Sequence, residues 1–307
     1  MKQYLGVDIG GTAVKLGIVS EEGIILRRTE QSVSFDGYQT PILTTVQNAC
    51  KDFLKEYPTD TLAGIGVSAT GQIDSVHGVV AGTCGNLPQW TGSRIRDTLQ
   101  DAFSLPVTVA NDANCMLLGE VWIGAAKGYT DVIGITLGTG VGGGILTGGK
   151  LLSGARGLAG EIGHFRLHAA DGVYCTCGAR GCWEPYAATT ALVRRAKTQN
   201  AAWCDGRAIF AAVQQGDANI TQILEDWICE IAEGLSGLVH IFNPQLILIG
   251  GGVCAQETLL IAPLREKIKA SIMPAFAQDL EIRAAALQND AGLVGAVYNF
   301  IQTAKNI

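Results

Sequence analysis

One histidine and three cysteines stand close together in the middle of the chain. They are His164, Cys175, Cys177 and Cys182, and they form the pattern H-x10-C-x-C-x4-C. Imidazole and thiolate ligands at such spacing are typical of tetrahedral Zn²⁺, and four protein ligands leave no position open for a substrate. The pattern therefore predicts a structural zinc site. His168 is the alternative histidine ligand, and a chance grouping of cysteines is the alternative to a metal site.

Three glycine-rich turns could hold phosphate groups. Backbone N–H groups at a tight glycine turn can point together at an anion, and glycine lets a phosphate come close. Any one such turn is more simply explained as a hairpin, but three of them favour a nucleotide. Asp8 precedes the first turn, where a carboxylate suits Mg²⁺ bound through water. The turns contain Gly10, Gly11 and Thr12, then Gly138, Thr139 and Gly140, and finally Gly250, Gly251 and Gly252.

Two further nucleotide-binding patterns match only in part. Residues 138–143 fit the G-x-G-x-x-G of dinucleotide-binding proteins. That motif must open a helix, whereas residues 141–146 are typical of a strand interrupted by glycine. Residues 144–150 fit G-x4-G-K, but Leu151 stands where a P-loop needs serine or threonine for Mg²⁺. We therefore expect neither a Rossmann site nor a P-loop.

Three carboxylates stand where they could act in catalysis or bind a polar ligand. Asp112 follows a strand in Asn111-Asp112-Ala113-Asn114 and begins a helix. It is either a helix N-cap or a carboxylate at the C-terminal end of a strand, where α/β proteins bind ligands. In the second role it could accept a hydroxyl proton during phosphoryl transfer. Glu161 and Glu184 flank the cysteines in a glycine-rich, apolar stretch, and several carboxylates and amides around one cleft suit a polyhydroxylated ligand.

The elements that must position these residues follow a repeated plan. A strand, a glycine turn and a second strand occur at 6–19 and again 128 residues later at 134–147. We therefore expect a duplicated α/β unit, with one copy in each of two lobes. Strands are expected at 4–9, 13–19, 24–29, 63–68, 107–110, 132–137, 141–147 and 245–249. Helices are expected at 40–56, 112–123, 185–197, 206–215 and 219–242, with a last helix capped by Asp290 and ending near 304.

The overall composition excludes several classes of protein. The 307 residues include 22 basic and 28 acidic side chains, a net charge of −6, so the basic excess of nucleic-acid and anionic-membrane binders is missing. With 48% hydrophobic and 16% charged residues, the chain should build a large core rather than stay disordered. It lacks an apolar run of about 20 residues and a signal-peptide pattern. We therefore expect a soluble cytoplasmic protein with no membrane partner.

Six of the cysteines are scattered singly along the chain. An odd total of nine in a chain of this length does not suit a disulfide framework. We expect these six to be ordinary buried thiols. They are Cys50, Cys84, Cys115, Cys204, Cys229 and Cys254.

Taken together, these segments resemble the ROK family of sugar kinases and related repressors, in the actin-like ATPase superfamily. The resemblance covers essentially the whole chain, and its most specific part is the zinc signature. One departure is Thr70, where many relatives have proline, and it leaves the identity of the sugar open. The matching segments are 8–12 and 137–144 for the phosphate loops, 111–114 for the catalytic segment, 250–252 for the adenosine loop, and 160–164 with Cys175-Thr176-Cys177-Gly178-Ala179-Arg180-Gly181-Cys182-Trp183-Glu184 for the zinc signature.

The resemblance implies an α/β fold of duplicated actin-like, ribonuclease-H-like lobes with an interlobe cleft and a zinc-binding loop at 164–182. The small lobe would cover 1–115 and the large lobe 116–289, and a C-terminal helix at about 290–307 would pack back on the small lobe. ATP and Mg²⁺ would bind in the cleft beside a hexose. A structural Zn²⁺ would hold the sugar pocket in shape.

The resemblance also implies a role for each residue. Asp112 would take the proton from the primary hydroxyl of the sugar as it attacks the γ-phosphate, and His164 would bind zinc and a sugar hydroxyl through different ring nitrogens. The sugar-binding residues would be Asn86, Asn111, Asp112, Glu161, His164 and Glu184. The residues for ATP and Mg²⁺ would be Asp8, Gly10, Gly11, Thr12, Lys15, Gly138, Thr139, Gly140, Gly250, Gly251 and Gly252. The zinc ligands would be His164, Cys175, Cys177 and Cys182.

We therefore expect an ATP-dependent kinase that phosphorylates the 6-hydroxyl of a hexose, with glucose as the first choice. N-acetylmannosamine, N-acetylglucosamine, fructose and allose stay open as substrates. Repressors of the family carry a DNA-binding module before the first phosphate loop, and only seven residues precede Asp8 here, so no nucleic-acid partner is expected. The competing hypotheses are a non-catalytic sugar sensor and a nicotinamide oxidoreductase. By analogy with the family, a homodimer is expected.

Overall fold

The computed structural model describes residues 2–57, 59–83, 85 and 87–305. The strands are β1 (Gln3–Ile9), β2 (Ala13–Ser20), β3 (Ile25–Ser32), β4 (Leu62–Ala69), β5 (Gln72–Asp74), β6 (Val79–Gly82), β7 (Val107–Asn111), β8 (Val132–Leu137), β9 (Val141–Thr147), β10 (Lys150–Leu151), β11 (Leu246–Gly250) and β12 (Glu281–Ala284). The helices are α1 (Ile42–Leu54), α2 (Ile95–Phe103), α3 (Asp112–Ile123), α4 (Glu184–Ala187), α5 (Thr189–Gln199), α6 (Gly206–Gln214), α7 (Ala218–Phe242), α8 (Ala262–Ser271), α9 (Pro274–Ala277) and α10 (Ala291–Ala304).

The chain forms two compact units. Unit 1 contains the residues up to Lys127, Leu151–Gly160 and the residues from Asn289 onward. Unit 2 contains Gly128–Lys150 and Glu161–Gln288. Helix α3 belongs to unit 1, where it packs against α10, whereas residues 116–123 were expected in the second lobe.

The sheet of unit 1 has the strand order β3-β2-β1-β4-β7. Strand β1 is antiparallel to β2 and parallel to β4, which is parallel to β7. Leu5, Val7 and Ile9 of β1 are buried in the core that α1 and α2 complete, while Tyr4 packs with residues of α10. Both faces of the sheet are therefore covered, as the largely buried strands β1, β2 and β4 require, whereas the edge strand β3 is mostly exposed.

The sheet of unit 2 repeats this plan. Its strand order is β10-β9-β8-β11-β12, with β8 antiparallel to β9 and parallel to β11, which is parallel to β12. Strand β11 is buried along its whole length, and the long helix α7 packs with α4, α5, α6 and α8. Each sheet thus begins with a hairpin around a glycine turn and continues with parallel strands, which confirms the predicted duplication.

The expected helix at 185–197 is broken into α4 and α5. Ala188 between them is extended, with φ −62° and ψ 152°. The indole Nε1 of Trp227 donates to the carbonyl oxygens of Ala187 and Ala188, at 2.9 and 3.1 Å. In a continuous helix the Ala187 carbonyl would accept from Ala191 N, which instead donates to Ala188 O at 2.9 Å. The indole satisfies the Ala187 carbonyl at this break, and the prediction of one helix was wrong.

Further differences concern α10, β12 and α2. Asp290 does not cap α10 with its side chain; its two carboxylate oxygens accept hydrogen bonds from Arg28 at 2.8 and 2.9 Å. The short strand β12 and the helix α2, on which Ile95 and Leu99 are buried, were not predicted. Among the described helices, none has the length and apolar character needed to cross a membrane.

Only some of the scattered cysteines are buried thiols. Cys50, Cys115 and Cys254 are buried as expected. Cys204 and Cys229 are exposed, so the expectation was wrong for these two. Cys84 lies outside the described residues.

Candidate functional site

The first glycine turn joins β1 to β2, and Asp8 stands at the end of β1 just before it. Asp8 pairs in register with Lys15 of β2 and with Ser68 of β4. The Ser68 hydroxyl donates to Asp8 Oδ1 at 2.7 Å, and Lys15 Nζ lies 3.6 Å from Oδ2. Lys15 Nζ also donates to the carbonyl oxygen of Asn289 at 3.2 Å. Both oxygens of the Asp8 carboxylate are thus held at the carboxyl end of the sheet.

The carbonyl oxygens of the first turn are bonded by the segment that follows β3. Tyr38 Oη donates to the Gly11 oxygen at 2.8 Å, and Val33 N donates to the Thr12 oxygen at 2.9 Å. In a trans peptide the C=O and N–H point in opposite directions, so the Thr12 N–H points away from Tyr38. Within the described part of the chain, the N–H groups of Gly11 and Thr12 have no hydrogen-bond partner, which suits them to an anion.

Asp112 is the first residue of α3, and its neighbour Asn111 is the N-cap. Asn111 Oδ1 accepts hydrogen bonds from the N–H groups of Ala113 and Asn114, at 2.9 and 3.3 Å. Its Nδ2 donates to the carbonyl oxygen of Gly71 at 2.9 Å. The N-cap alternative for Asp112 was therefore wrong, since Asn111 fills that position.

Asp8 and Asp112 both act on one buried thiol. Cys115, one turn further along α3, is fully buried. Burial raises the pKa of this thiol well above its usual value, and the charges of Asp8 and Asp112 add to the rise, while a hydrogen bond with Ser68 opposes it. A neutral side chain thus lies near Asp8 and Asp112, so unit 1 brings these two predicted residues close to the same thiol.

The second and third glycine turns line one cavity in unit 2. It measures about 850 Å³, within the range of small-molecule sites. Gly251 has φ +95°, a conformation that favours glycine, and Gly250 ends β11. Three cationic side chains and several hydroxyls line the cavity, so it suits an anionic ligand with an apolar part. The lining residues are Leu137, Gly138, Thr139, Thr189, Thr190, Val193, Arg194, Lys197, Cys204, Asp205, Gly206, Arg207, Phe210, Gly252, Val253 and Gln256.

The structure brings the predicted zinc ligands together. Potential ligand atoms of His164, Cys175, Cys177 and Cys182 all lie within 4.8 Å of one another. Cys175 Sγ is 3.5 Å from His164 Nδ1, and the Sγ atoms of Cys177 and Cys182 are 3.6 Å apart. A tetrahedron of ligands about 2.3 Å from zinc has edges of about 3.8 Å, so the donor set and its spacing fit this ion.

The alternative ligand His168 is engaged elsewhere. Its Nε2 lies 2.8 Å from Glu230 Oε2, and its ring packs on Tyr186. It is not one of the four clustered side chains. Among the candidate ligands in the described residues, His164 therefore completes the set.

Two carboxylates adjoin the cluster in different ways. Glu161 Oε2 lies 3.9 Å from His164 Nε2, the ring nitrogen that faces away from the thiols. Burial raises the pKa of Glu161, His164 partly offsets the rise, and Glu184 adds to it. Glu184 instead accepts a hydrogen bond from Val141 N at 3.0 Å through Oε2. Both carboxylates could accept hydrogen bonds from a polyhydroxylated ligand.

Each predicted site residue has a defined place except one. Asn86 lies outside the described residues. Sequence reasoning missed Ser68 and Tyr38, which hold Asp8 and Gly11. Ser68 lies in a segment that the family resemblance marked only for its departure at Thr70. Tyr38 lies in a loop, where no sequence pattern indicates that a tyrosine contacts a glycine turn.

The comparisons with known proteins agree over nearly the full length of the chain. Residues 4–303 match the model of the ROK family. A glucokinase of Thermotoga maritima is 33% identical over 308 residues, which cover 96% of each chain. A beta-glucoside kinase of Listeria monocytogenes is 35% identical over 301 residues, again 96% of each.

A solved structure shows the same likeness in three dimensions. It is a ROK family glucokinase from Streptomyces griseus in complex with glucose and AMPPNP. The TM-score is 0.80 at 33% identity, covering 96% of this chain and 97% of that one. With its duplicated sheets, glycine turns and Cys/His cluster, the chain belongs to the ROK family.

Proposed function

We propose that this protein is an ATP-dependent glucose kinase that phosphorylates the 6-hydroxyl. The observation that carries the proposal is the likeness, over nearly the full length, to glucokinases that include one in complex with glucose and AMPPNP. The chain keeps Asp112 at the start of α3 and glycine turns suited to phosphate. A polyhydroxylated acceptor and an anionic donor match the carboxylates and the basic cavity described above.

Asp112 is the proposed general base. A carboxylate at this position can accept the proton of the attacking hydroxyl while that oxygen forms its bond to the γ-phosphorus and ADP leaves. Asn111 is fixed by its bond to Gly71 and contributes an amide to sugar binding. The sugar hydroxyls form hydrogen bonds with Glu161, His164 and Glu184. Asn86 is proposed for the same role.

The glycine turns are proposed to hold ATP. Phosphate oxygens are bound by the N–H groups of Gly11 and Thr12, together with Gly10 and Lys15. Asp8 orients the Mg²⁺ that neutralises charge on these phosphate oxygens. In unit 2, Gly138, Thr139 and Gly140 bind phosphate, while Gly250, Gly251 and Gly252 contact the adenosine. Exclusion of water from the reacting groups protects ATP from hydrolysis.

The Cys/His cluster is proposed to bind a structural zinc ion. The four ligands are His164, Cys175, Cys177 and Cys182, and when bound the ion supplies a fixed cross-link rather than a reactive centre. His164 would then present Nε2 to the sugar, because Nδ1 is the nitrogen that faces the thiols.

Location and assembly follow from the proposed activity and the family. Because ATP is the phosphoryl donor, the cytoplasm is the proposed compartment. A homodimer is proposed by analogy with the family. The second candidate activity is phosphorylation of a beta-glucoside, favoured by the 35% identity to the Listeria monocytogenes enzyme.

The test is ADP release from ATP and Mg²⁺ across a sugar panel. The panel contains glucose, cellobiose, N-acetylmannosamine, N-acetylglucosamine, fructose and allose. Turnover concentrated on glucose supports the proposal, and turnover concentrated on cellobiose supports the second candidate. A flat response with every sugar would contradict both and leave a sugar-sensing protein as the better explanation.

A further inference from the structure

Glu184 bonds to the second glycine turn as well as to the segment that carries the cysteines. Its Oε2 accepts a hydrogen bond from Val141 N at 3.0 Å, and its Oε1 accepts one from the Thr176 hydroxyl at 3.4 Å. Thr176 stands between Cys175 and Cys177. Cys175 Sγ is 3.9 Å from the same Oε1. One carboxylate therefore joins the metal-ligand segment to the residue that ends the turn.

The histidine-bearing segment reaches the same place independently. A Cβ on Gly163 would overlap the carbonyl oxygen of Val141, so the backbone next to His164 lies directly against Val141. A Cβ on Gly140 would likewise overlap Glu184 Oε2. Both ligand-bearing segments thus pack on Gly140 and Val141, and glycine is what permits the approach.

The bond from Val141 N to Glu184 also determines the geometry of the turn. The Val141 N–H and the Gly140 C=O belong to one peptide and point in opposite directions. The Gly140 oxygen accepts a hydrogen bond from Gly138 N at 3.1 Å, which closes the turn. Holding Val141 N towards Glu184 therefore orients the Gly140 oxygen towards Gly138, whose side of the turn lines the cavity.

We propose that Glu184 is a positioning residue for the second glycine turn and that it transmits the order of the Cys/His cluster to nucleotide binding. This role is additional to the sugar contact proposed above, and it rests on the proposed function because the cavity must hold the nucleotide. Loss of the Glu184 carboxylate, or of the metal beside it, weakens nucleotide binding even when no sugar is present.

The test is the affinity for AMPPNP with Mg²⁺ and without sugar, measured by calorimetry. Glu184→Ala should weaken binding by about tenfold or more, since it removes a hydrogen bond to a charged group. Glu225→Ala is the control: it removes an exposed carboxylate of the same unit, on α7 and outside both the cluster and the cavity lining, and its AMPPNP affinity should equal that of the wild type. Thr176→Val should weaken binding by a smaller factor.

A conservative variant separates positioning from charge. Glu184→Gln keeps an oxygen that can accept from Val141 N, so its AMPPNP affinity should lie within about threefold of the wild type. Melting temperature and metal content are measured for every variant. If Glu184→Ala does not fold, Thr176→Val and the metal-free protein still decide the matter.

Removal of the metal tests whether the order of the Cys/His cluster affects nucleotide binding. Protein treated with phenanthroline and returned to buffer with Mg²⁺ should bind AMPPNP more weakly, and added Zn²⁺ should restore the affinity. Equal AMPPNP affinity in wild type, Glu184→Ala and metal-free protein would overturn the inference. Failure of the wild type itself to bind AMPPNP would instead contradict the proposed function.

Discussion

The Ser68 hydroxyl donates a 2.7 Å hydrogen bond to Asp8 Oδ1 across the neighbouring parallel strands β1 and β4. Ser68 is completely buried, so solvent water does not compete for this hydroxyl. With Lys15 near the other oxygen, the bond fixes the direction in which Asp8 can face a cation. Asp8 thus depends on a residue 60 positions away in the chain.

Replacing Ser68 by alanine should weaken the response to Mg²⁺. Loss of a hydrogen bond to a charged group corresponds to about 1.5–3 kcal/mol, so kcat/KM should fall by about tenfold or more and half-maximal activity should need more Mg²⁺. Ser236→Ala is the control, because this buried serine donates to the Ala232 carbonyl oxygen within α7, far from Asp8 in the sequence and in the other unit. An unchanged Mg²⁺ requirement in Ser68→Ala would show that Asp8 does not need the bond.

Replacing Tyr38 by phenylalanine should raise the KM for ATP more than that for glucose. The variant loses the hydroxyl that holds the Gly11 carbonyl, and a neutral hydrogen bond is typically worth about 0.5–1.5 kcal/mol, or about two- to tenfold. Tyr57→Phe is a matched control in the same unit, since the Tyr57 hydroxyl bonds to Gln3 instead. Equal effects on both substrates would indicate general destabilisation rather than a role in the phosphate turn.

Replacing Asp112 by asparagine should abolish most turnover while sugar binding persists. General-base catalysis contributes about 10²–10⁴ in rate, and the amide keeps the size of the carboxylate without its basicity. Steady-state kinetics and glucose calorimetry give the two readouts. Asp101→Asn, an exposed change on α2, should leave both unchanged. Near-normal kcat in Asp112→Asn would exclude Asp112 as the base.

Elemental analysis should find about one zinc ion per chain in protein purified without chelator. Cys182→Ser should lose the metal and melt at a lower temperature, by about 5–10 °C if a few kcal/mol are lost. Cys229→Ser changes an exposed cysteine on α7 outside the cluster and should keep the zinc. Wild-type protein free of zinc would remove the proposed metal site.

Bound nucleotide should protect Cys204 from alkylation. This exposed thiol lines the cavity of unit 2, so AMPPNP at ten times its Kd should slow its modification by about tenfold. Cys229, exposed but outside the cavity, should react equally with and without nucleotide. Cys50 should stay unmodified in both cases, because burial raises its pKa to about 12. Peptide mass spectrometry measures each residue separately.

Local patterns were enough for most strands and helices and for the zinc cluster. The predicted bounds of α3, β8 and β9 agree with the structure, because each is a largely apolar run between glycine or polar boundaries. The prediction of one helix at 185–197 was wrong. The chain is extended at Ala188, where the indole of Trp227 donates hydrogen bonds to the carbonyl oxygens of Ala187 and Ala188. A hydrogen bond between residues 40 positions apart cannot be read from a local sequence pattern.

Sequence by itself determined the duplicated strand–turn–strand plan, the four candidate zinc ligands and the glycine turns, because residue type and spacing carry that information directly. Only the tertiary structure decided which side chains support them. Ser68 reaches Asp8, Tyr38 reaches Gly11 and Glu184 reaches Val141 because the pairing of strands and the packing of loops bring distant residues within hydrogen-bond range. Which residues become partners depends on the path of the backbone in space. The sequence around a single serine, tyrosine or glutamate does not show which distant residue it will contact.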